Sequence, residues 1–252
     1  MNSRTVATII LAIALISCSV AGQTTEELFS AGNNAYGNRL YDSAVLYYSA
    51  ALKTGKESSA LYFNLGNAWF KSGDLGRAMV NYLKAERLDP SDDDIRHNLE
   101  FARQFSTVQM EGVELNPISS FINAIVGPYR LSAWAWWSSL AFVLLLLCLI
   151  LRHGLAISNA VVRSGVNVLV VAVILLGGLT TWKYRSEFVD RRGVVIVESA
   201  TVYTGPSESS DVELQAAPGL VVEILGQSGE FYSVLFANKR RGWMKSTQVE
   251  TI

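Results

Sequence analysis

The stretch LYFNLGNAWFKSGDLGRAMVNYLKAERLDP, residues 61–90, decides how the N-terminal half is built. Tyr62, Leu65, Gly66, Trp69, Ala78, Tyr82, Ala85 and Pro90 stand in it at fixed spacings, and a copy thirty-four residues earlier carries Gly32, Ala44, Tyr48 and Ala51 in the same register. A self-similar period of this length marks a stack of helical units, each too small to bury its own apolar face. The second unit runs from Ser59 to Asp92, so the two tile without a gap. After Pro90 the acidic run Ser91-Asp92-Asp93-Asp94 precedes Ile95, Leu99, Ala102 and Phe105, an apolar series at helical spacing. Carboxylates favour a helix start. This segment is therefore expected to be a terminal helix that covers the open face of the second unit.

These positions resemble the tetratricopeptide repeat over residues 25–105, with the second copy the specific one. In the first copy Lys56 replaces the proline, Ala31 the leucine and Ala35 the aromatic. The resemblance implies two antiparallel helices per unit. Small residues at Gly32/Gly66 and Ala44/Ala78 would let them approach, with Tyr48/Tyr82 and Leu28/Tyr62 filling the space between. It also implies binding of other polypeptides rather than chemistry. The expected peptide groove comprises Asn33, Tyr36, Phe63, Asn64, Asn67, Phe70 and Lys71. Asn33, Asn64 and Asn67 occupy places where the carboxylate-clamp branch of that family uses amides, which both donate and accept. Phe29 and Asp94 stand where the clamp has basic residues, so capture of a C-terminal carboxylate is not expected. The alternatives are an ordinary pair of helical hairpins and merely solvated asparagines.

Half the residues are apolar and the formal net charge is −1, which gives no support for nucleic acid as a partner. Arg4, the apolar run Val6 to Ile16 and the small residues ending at Gly22 have the shape of a secretory signal over residues 1–22. Leu15-Ile16-Ser17-Cys18 also resembles a lipobox, which would make a lipidated Cys18 the first residue; an uncleaved anchor ranks third. The repeats with their cap are assigned to 23–107. Residues 108–130 form a linker or interfacial segment, where Ile118, Phe121, Ile122, Ile125 and Val126 suit a short surface helix between Pro117 and Pro128. Two apolar runs, 131–151 and 165–182, are long enough to cross a bilayer, with Trp134, Trp136 and Trp137 opening the first. A hairpin at 152–164 joins them, and 183–191 is a linker. Two crossings return the chain to its starting side, outside the cytoplasm if the signal holds. Lys183, Arg185, Arg191 and Arg192 follow the second run, against Arg152 and Arg163 in the hairpin. That distribution opposes the positive-inside rule, but an N-terminal signal usually dominates.

Residues 192–252 change character to short β-branched runs punctuated by Gly and Pro, expected to build a small barrel. Ala200 to Ser207, Pro218 to Leu225, Phe231 to Val234 and Arg241-Gly242-Trp243-Met244 resemble a bacterial Src-homology-3 domain. Tyr203, Pro206, Tyr232 and Trp243 are its candidate ligand-surface or core residues. Trp243 is expected to pack over the interior, opposite Leu220, Val222 and Ile224.

Chemistry is sparsely represented. The cysteines are Cys18 and Cys148, the histidines His97 and His153, and no nucleophile with a nearby base or phosphate-binding glycine loop is recognisable. No cofactor or metal is expected. Asp92-Asp93-Asp94 lacks the spaced glycine and terminal glutamate of a calcium loop and reads as a solvated helix start. The fold class expected is multi-domain: an α-helical tetratricopeptide solenoid, two transmembrane helices and a C-terminal all-β Src-homology-3-like barrel. That order of modules resembles the BatE-type branch of the Bat family, named for the Bacteroides aerotolerance operon. The resemblance implies a non-enzymatic adaptor in a bacterial inner membrane with both modules in the periplasm. Its implied partners are membrane proteins bearing von Willebrand A domains and a MoxR-type ATPase system, in stress tolerance or envelope maintenance. The alternative is a cell-wall sensor or anchor that binds peptidoglycan through the C-terminal module.

Overall fold

The first helices are α1 (Thr25–Gly37), α2 (Tyr41–Lys53), α3 (Ser59–Ser72), α4 (Leu75–Leu88) and α5 (Asp93–Thr107), and side-chain caps open all of them but α2. The computed structural model describes residues 24–107, 117–153 and 160–252. The signal segment with Cys18, the start of the 108–130 segment and the tip of the hairpin lie outside the described residues. Thr24 and Glu27 close a reciprocal capping box, at 3.2 and 2.9 Å, ahead of α1. Ser58 and Asp74 cap α3 and α4 through the amides of Leu61 and Arg77. Asp92 accepts from the amides of Asp94 and Ile95, so the acidic run is a helix start. Gly73, at φ 94°, ends α3 in the left-handed region that glycine enters without strain.

The helices pack as antiparallel pairs, α1 with α2 and α3 with α4. Gly32, Ala44, Tyr48 and Ala51 are buried in the first pair, and Gly66, Ala78, Tyr82 and Ala85 at the same places in the second. A Cβ on Gly32 would lie 2.4 Å from the Tyr48 ring, and one on Gly66 2.8 Å from the Tyr82 ring. Helix α5 continues the stack by burying Ile95, Leu99, Ala102 and Ser106. Phe105, expected on that buried row, is 54% exposed. The 3.6-residue period carries the row from Ala102 to Ser106 instead.

Helix α6 (Pro117–Val126) leads into α7 (Leu131–His153) and α8 (Ala160–Tyr184), which pack against each other. A π-helical turn, Arg185–Val189, continues α8. Both helices are long and apolar enough to cross a membrane, each with a mean hydropathy of 2.2, and they leave their apolar side chains largely exposed. They overrun the expected spans: α7 takes in Arg152 and His153, and helix replaces most of the 183–191 linker. Lys183 supplies the reason at that end. Its ammonium donates to the Gly127 carbonyl at 3.1 Å and pairs with Glu187 at 2.9 Å, so the polar turn stays helical.

The C-terminal residues form one antiparallel sheet: β1 (Arg192–Val195), β2 (Ala200–Tyr203), β3 (Val212–Ala216), β4 (Val221–Ser228), β5 (Phe231–Leu235), β6 (Arg241–Lys245) and β7 (Val249–Thr251). Its order is β3-β2-β6-β5-β4-β1-β7. The ladder is open, because β3 and β7 end it without pairing to each other, where a barrel was expected. One core nonetheless draws on every strand, with Val195, Val202, Ala216, Val222, Val234, Met244 and Val249 at its centre. Trp243 is not among them. Alternation along β6 turns Gly242 and Met244 inward and leaves Trp243 half-buried on the opposite face.

The sheet is not a separate bead. Val194 is buried with Met79 and Leu83 of α4, and Ile196, Val221 and Ile252 pack on the same cluster. A Cβ on Gly76 would come within 2.6 Å of the Ile196 backbone, so only glycine allows this approach. Lys84 and Glu250 form an ion pair across the junction at 3.0 Å. Asp89 reaches Arg130, just before α7, at 3.2 Å.

Candidate functional site

The 34-residue offset reappears as a hydrogen-bond ladder along the first, third and fifth helices. Tyr48, on α2, donates its hydroxyl to Asn33 Oδ1 at 2.8 Å, and Asn64 of the next unit donates Nδ2 to the same oxygen at 3.1 Å. One unit on, Tyr82 donates to Asn67 Oδ1 at 2.7 Å and Asn98 to the same oxygen at 2.9 Å. Buried hydroxyls need such partners, because an unsatisfied one costs more than a hydrogen bond gains. Tyr48 and Tyr82 are 1% and 2% exposed. Burial pushes the Tyr48 phenol up to about 12, with the neighbouring Tyr36 adding to the effect and Asn64 opposing it. Burial raises the Tyr82 phenol further still.

With two donors on each oxygen, Asn33 and Asn67 have spent their accepting capacity inside the protein. Their Nδ2 groups make no hydrogen bond among the described residues. Asn33, Tyr36, Gly37, Tyr48, Asn64 and Asn67 line a groove of about 250 Å³. Tyr36 meets Tyr41 edge-on at 5.4 Å, and burial raises its phenol. The groove therefore offers amide donors and aromatic surface, which suits a ligand rich in carbonyl acceptors.

The other expected groove residues fall elsewhere. Phe63 packs 6.1 Å from the Tyr82 ring, repeating the 5.8 Å pair of Phe29 with Tyr48, and serves the junction between helices. Phe70 joins Phe101 and Phe105 in a ring cluster with centroids 5.2–5.7 Å apart. Lys71 is exposed near the end of α3. Asn98 and Phe101 escaped the sequence reading. Asn98 was legible: it stands thirty-four residues after Asn64, as Ile95, Leu99 and Ala102 stand after Leu61, Leu65 and Ala68. Helix α5 thus repeats the leading helices α1 and α3 at the same offset.

On the sheet the four candidates divide. Tyr203 and Trp243 are cross-strand partners of β2 and β6, and Ser233 of β5 flanks Trp243 on its other side. Phe231, itself buried, meets Tyr203 edge-on at 6.0 Å and packs beneath it. Lys245 beside it pairs with Glu208, whose hydrogen bond raises the ammonium above its ordinary value. Tyr232 lies on the opposite face, packed against the core, and Pro206 is exposed between β2 and β3. No group of three or more His, Cys, Asp or Glu able to hold a metal occurs among the described residues. No known protein family matches the chain and no curated protein is significantly similar to it, so function has to be read from this geometry.

Proposed function

We propose that the chain is a membrane-anchored adaptor whose helical units, of the tetratricopeptide type, hold an extended segment of a partner protein. The observation that carries this reading is the pair of unspent amide donors of Asn33 and Asn67, set one unit apart along a single groove. An extended peptide presents backbone carbonyls at regular intervals and can meet such donors in succession. The module order supports placing the adaptor in a Bat-type complex of the periplasm, with von Willebrand A domain proteins and a MoxR-type ATPase system as partners in stress or oxygen tolerance. Two further observations are compatible with that arrangement. The contact of β1 with α4 puts both modules at one end of the helix pair. Lys183 and Arg185 are offset by Glu187 and Asp190, at 2.9 and 3.5 Å, which weakens the charge bias against it.

Photo-crosslinkers at Tyr36 and, as a control, at the exposed Leu46 of α2 test the groove in native membranes. Capture of one protein at Tyr36 and none at Leu46 is expected, with N33D/N67D abolishing it, since aspartate keeps the internal acceptors and removes the donors. Equal capture at both positions refutes the reading. The half-buried pair Tyr203 and Trp243 on the outer face favours a second reading, in which the Src-homology-3-like module stacks on peptidoglycan sugars. Sedimentation with purified peptidoglycan, wild type against W243A, separates the two.

A further inference from the structure

Between α4, the foot of the apolar helix pair and β1 lies a cavity of about 340 Å³. Arg87, Arg103, Lys183 and Arg192 line it with Glu86 and Glu187; Arg103 pairs with Glu100 at 3.7 Å, and Asp190 lines the adjoining cleft with Arg87 and Arg192. Glu187 is already committed to Lys183. The guanidinium groups of Arg87 and Arg192 make no ion pair or hydrogen bond among the described residues. Two such forks facing one polar cavity match the oxygens of a phosphate, which guanidinium binds through paired N–H donors.

The cavity's depth identifies the source of that phosphate. Lys183 closes the apolar run of α8, and the exposed aromatics Tyr184 and Phe188, stacked 5.5 Å apart, stand beside it where an interfacial belt would lie. Lipid phosphates occupy the level just beyond such a belt. We infer that the cavity holds the headgroup phosphate of an anionic phospholipid, with Arg87 and Arg192 as its ligands. The lipid then bridges the helical unit, the sheet and the membrane pair. A net excess of cations favours an anionic over a zwitterionic headgroup. This inference rests on reading α7 and α8 as spanning helices.

The test uses the full chain. Flotation with phosphatidylcholine vesicles checks the spanning reading alone, and a chain that fails to float refutes it. Native mass spectrometry then follows lipids retained from nanodiscs of equal phosphatidylglycerol and phosphatidylcholine. The wild type is expected to keep phosphatidylglycerol, R87Q/R192Q to lose that preference by roughly tenfold, and R87K/R192K to keep most of it. A floating chain with no preference, or a double glutamine variant that retains it, sinks the headgroup proposal. So does inorganic phosphate, added to phosphatidylcholine nanodiscs, if it raises the thermal midpoint as much as phosphatidylglycerol does, since a free-anion site would explain that.

Discussion

Replacing Asn67 by alanine removes the acceptor of two hydrogen bonds at once, from the Tyr82 hydroxyl at 2.7 Å and from Asn98 Nδ2 at 2.9 Å. Water can reach the half-buried Asn98, so its loss costs about 1 kcal/mol. Tyr82 is 2% exposed, and its stranded hydroxyl adds about 1–3 kcal/mol. N67A should therefore destabilise the helical unit by about 3 kcal/mol. N67D retains an oxygen for both donors, and a carboxylate accepts more strongly than an amide, so its cost should stay within about 1 kcal/mol. Y82F supplies the internal control: with no hydroxyl to strand, N67A on that background should cost only about 1 kcal/mol. Denaturant unfolding of the detergent-solubilised full chain, followed by hydrogen exchange in α3 to α5, reads all four proteins. Equal losses for N67A and N67D, or additive effects of N67A and Y82F, would refute the ladder.

G76A should drive a methyl into the backbone of Ile196 and undock the sheet from α4, read as faster hydrogen exchange at β1 and two thermal transitions in place of one. M244A, at a side chain with 0% exposure, should cost about 2–5 kcal/mol, while W243A, on the outer face, should cost less; the reverse order would restore Trp243 to the core. Alkaline titration followed by phenolate absorbance should show late, unfolding-linked ionisation. The Tyr48 and Tyr62 phenols are raised to about 12, so their stabilising effect is complete below about 10 and is lost as pH climbs between these values. Phosphatase fusions at Gln109 and Ile252 should be active and one at Asn159 silent; an active Asn159 fusion overturns the proposed orientation.

The helical pairs were legible because their signal is local and repeated. Gly32/Gly66 and Tyr48/Tyr82 must touch across a turn, and a fixed offset writes that contact into the sequence twice. The helix start at Asp92 was equally local, whereas the caps at Ser58 and Asp74 went unread. Trp243 was misread because parity in a strand depends on register: one position separates it from Met244, and Tyr203 and Ser233 fix which of the two points outward. The open sheet was hidden for a related reason. Only the Tyr203–Trp243 pair joins β2 to β6, and pairings between distant strands leave no periodic trace. The engagement of Asn33 and Asn67 by Tyr48 and Tyr82 was not legible, because it required knowing that residues fifteen apart face each other.

The junction ties the helical units to the sheet in a way that beads on a string would not. Glycine at 76 is demanded by the Ile196 backbone, and Gly219, at φ 81°, fits beneath Leu75 and Met79. Those two side chains also belong to the cluster that holds α4 against α5. A force transmitted to the sheet thus reaches the same helix that presents Tyr82 to Asn67. Separately, Asp89 holds Arg130 at the entrance to the membrane pair, where Ser91 keeps its carboxyl below the ordinary range with Arg130 adding to the effect. The groove residue Asn67, the sheet and the start of the apolar helix pair are therefore all in contact with one helix, α4, or with its C-cap Asp89.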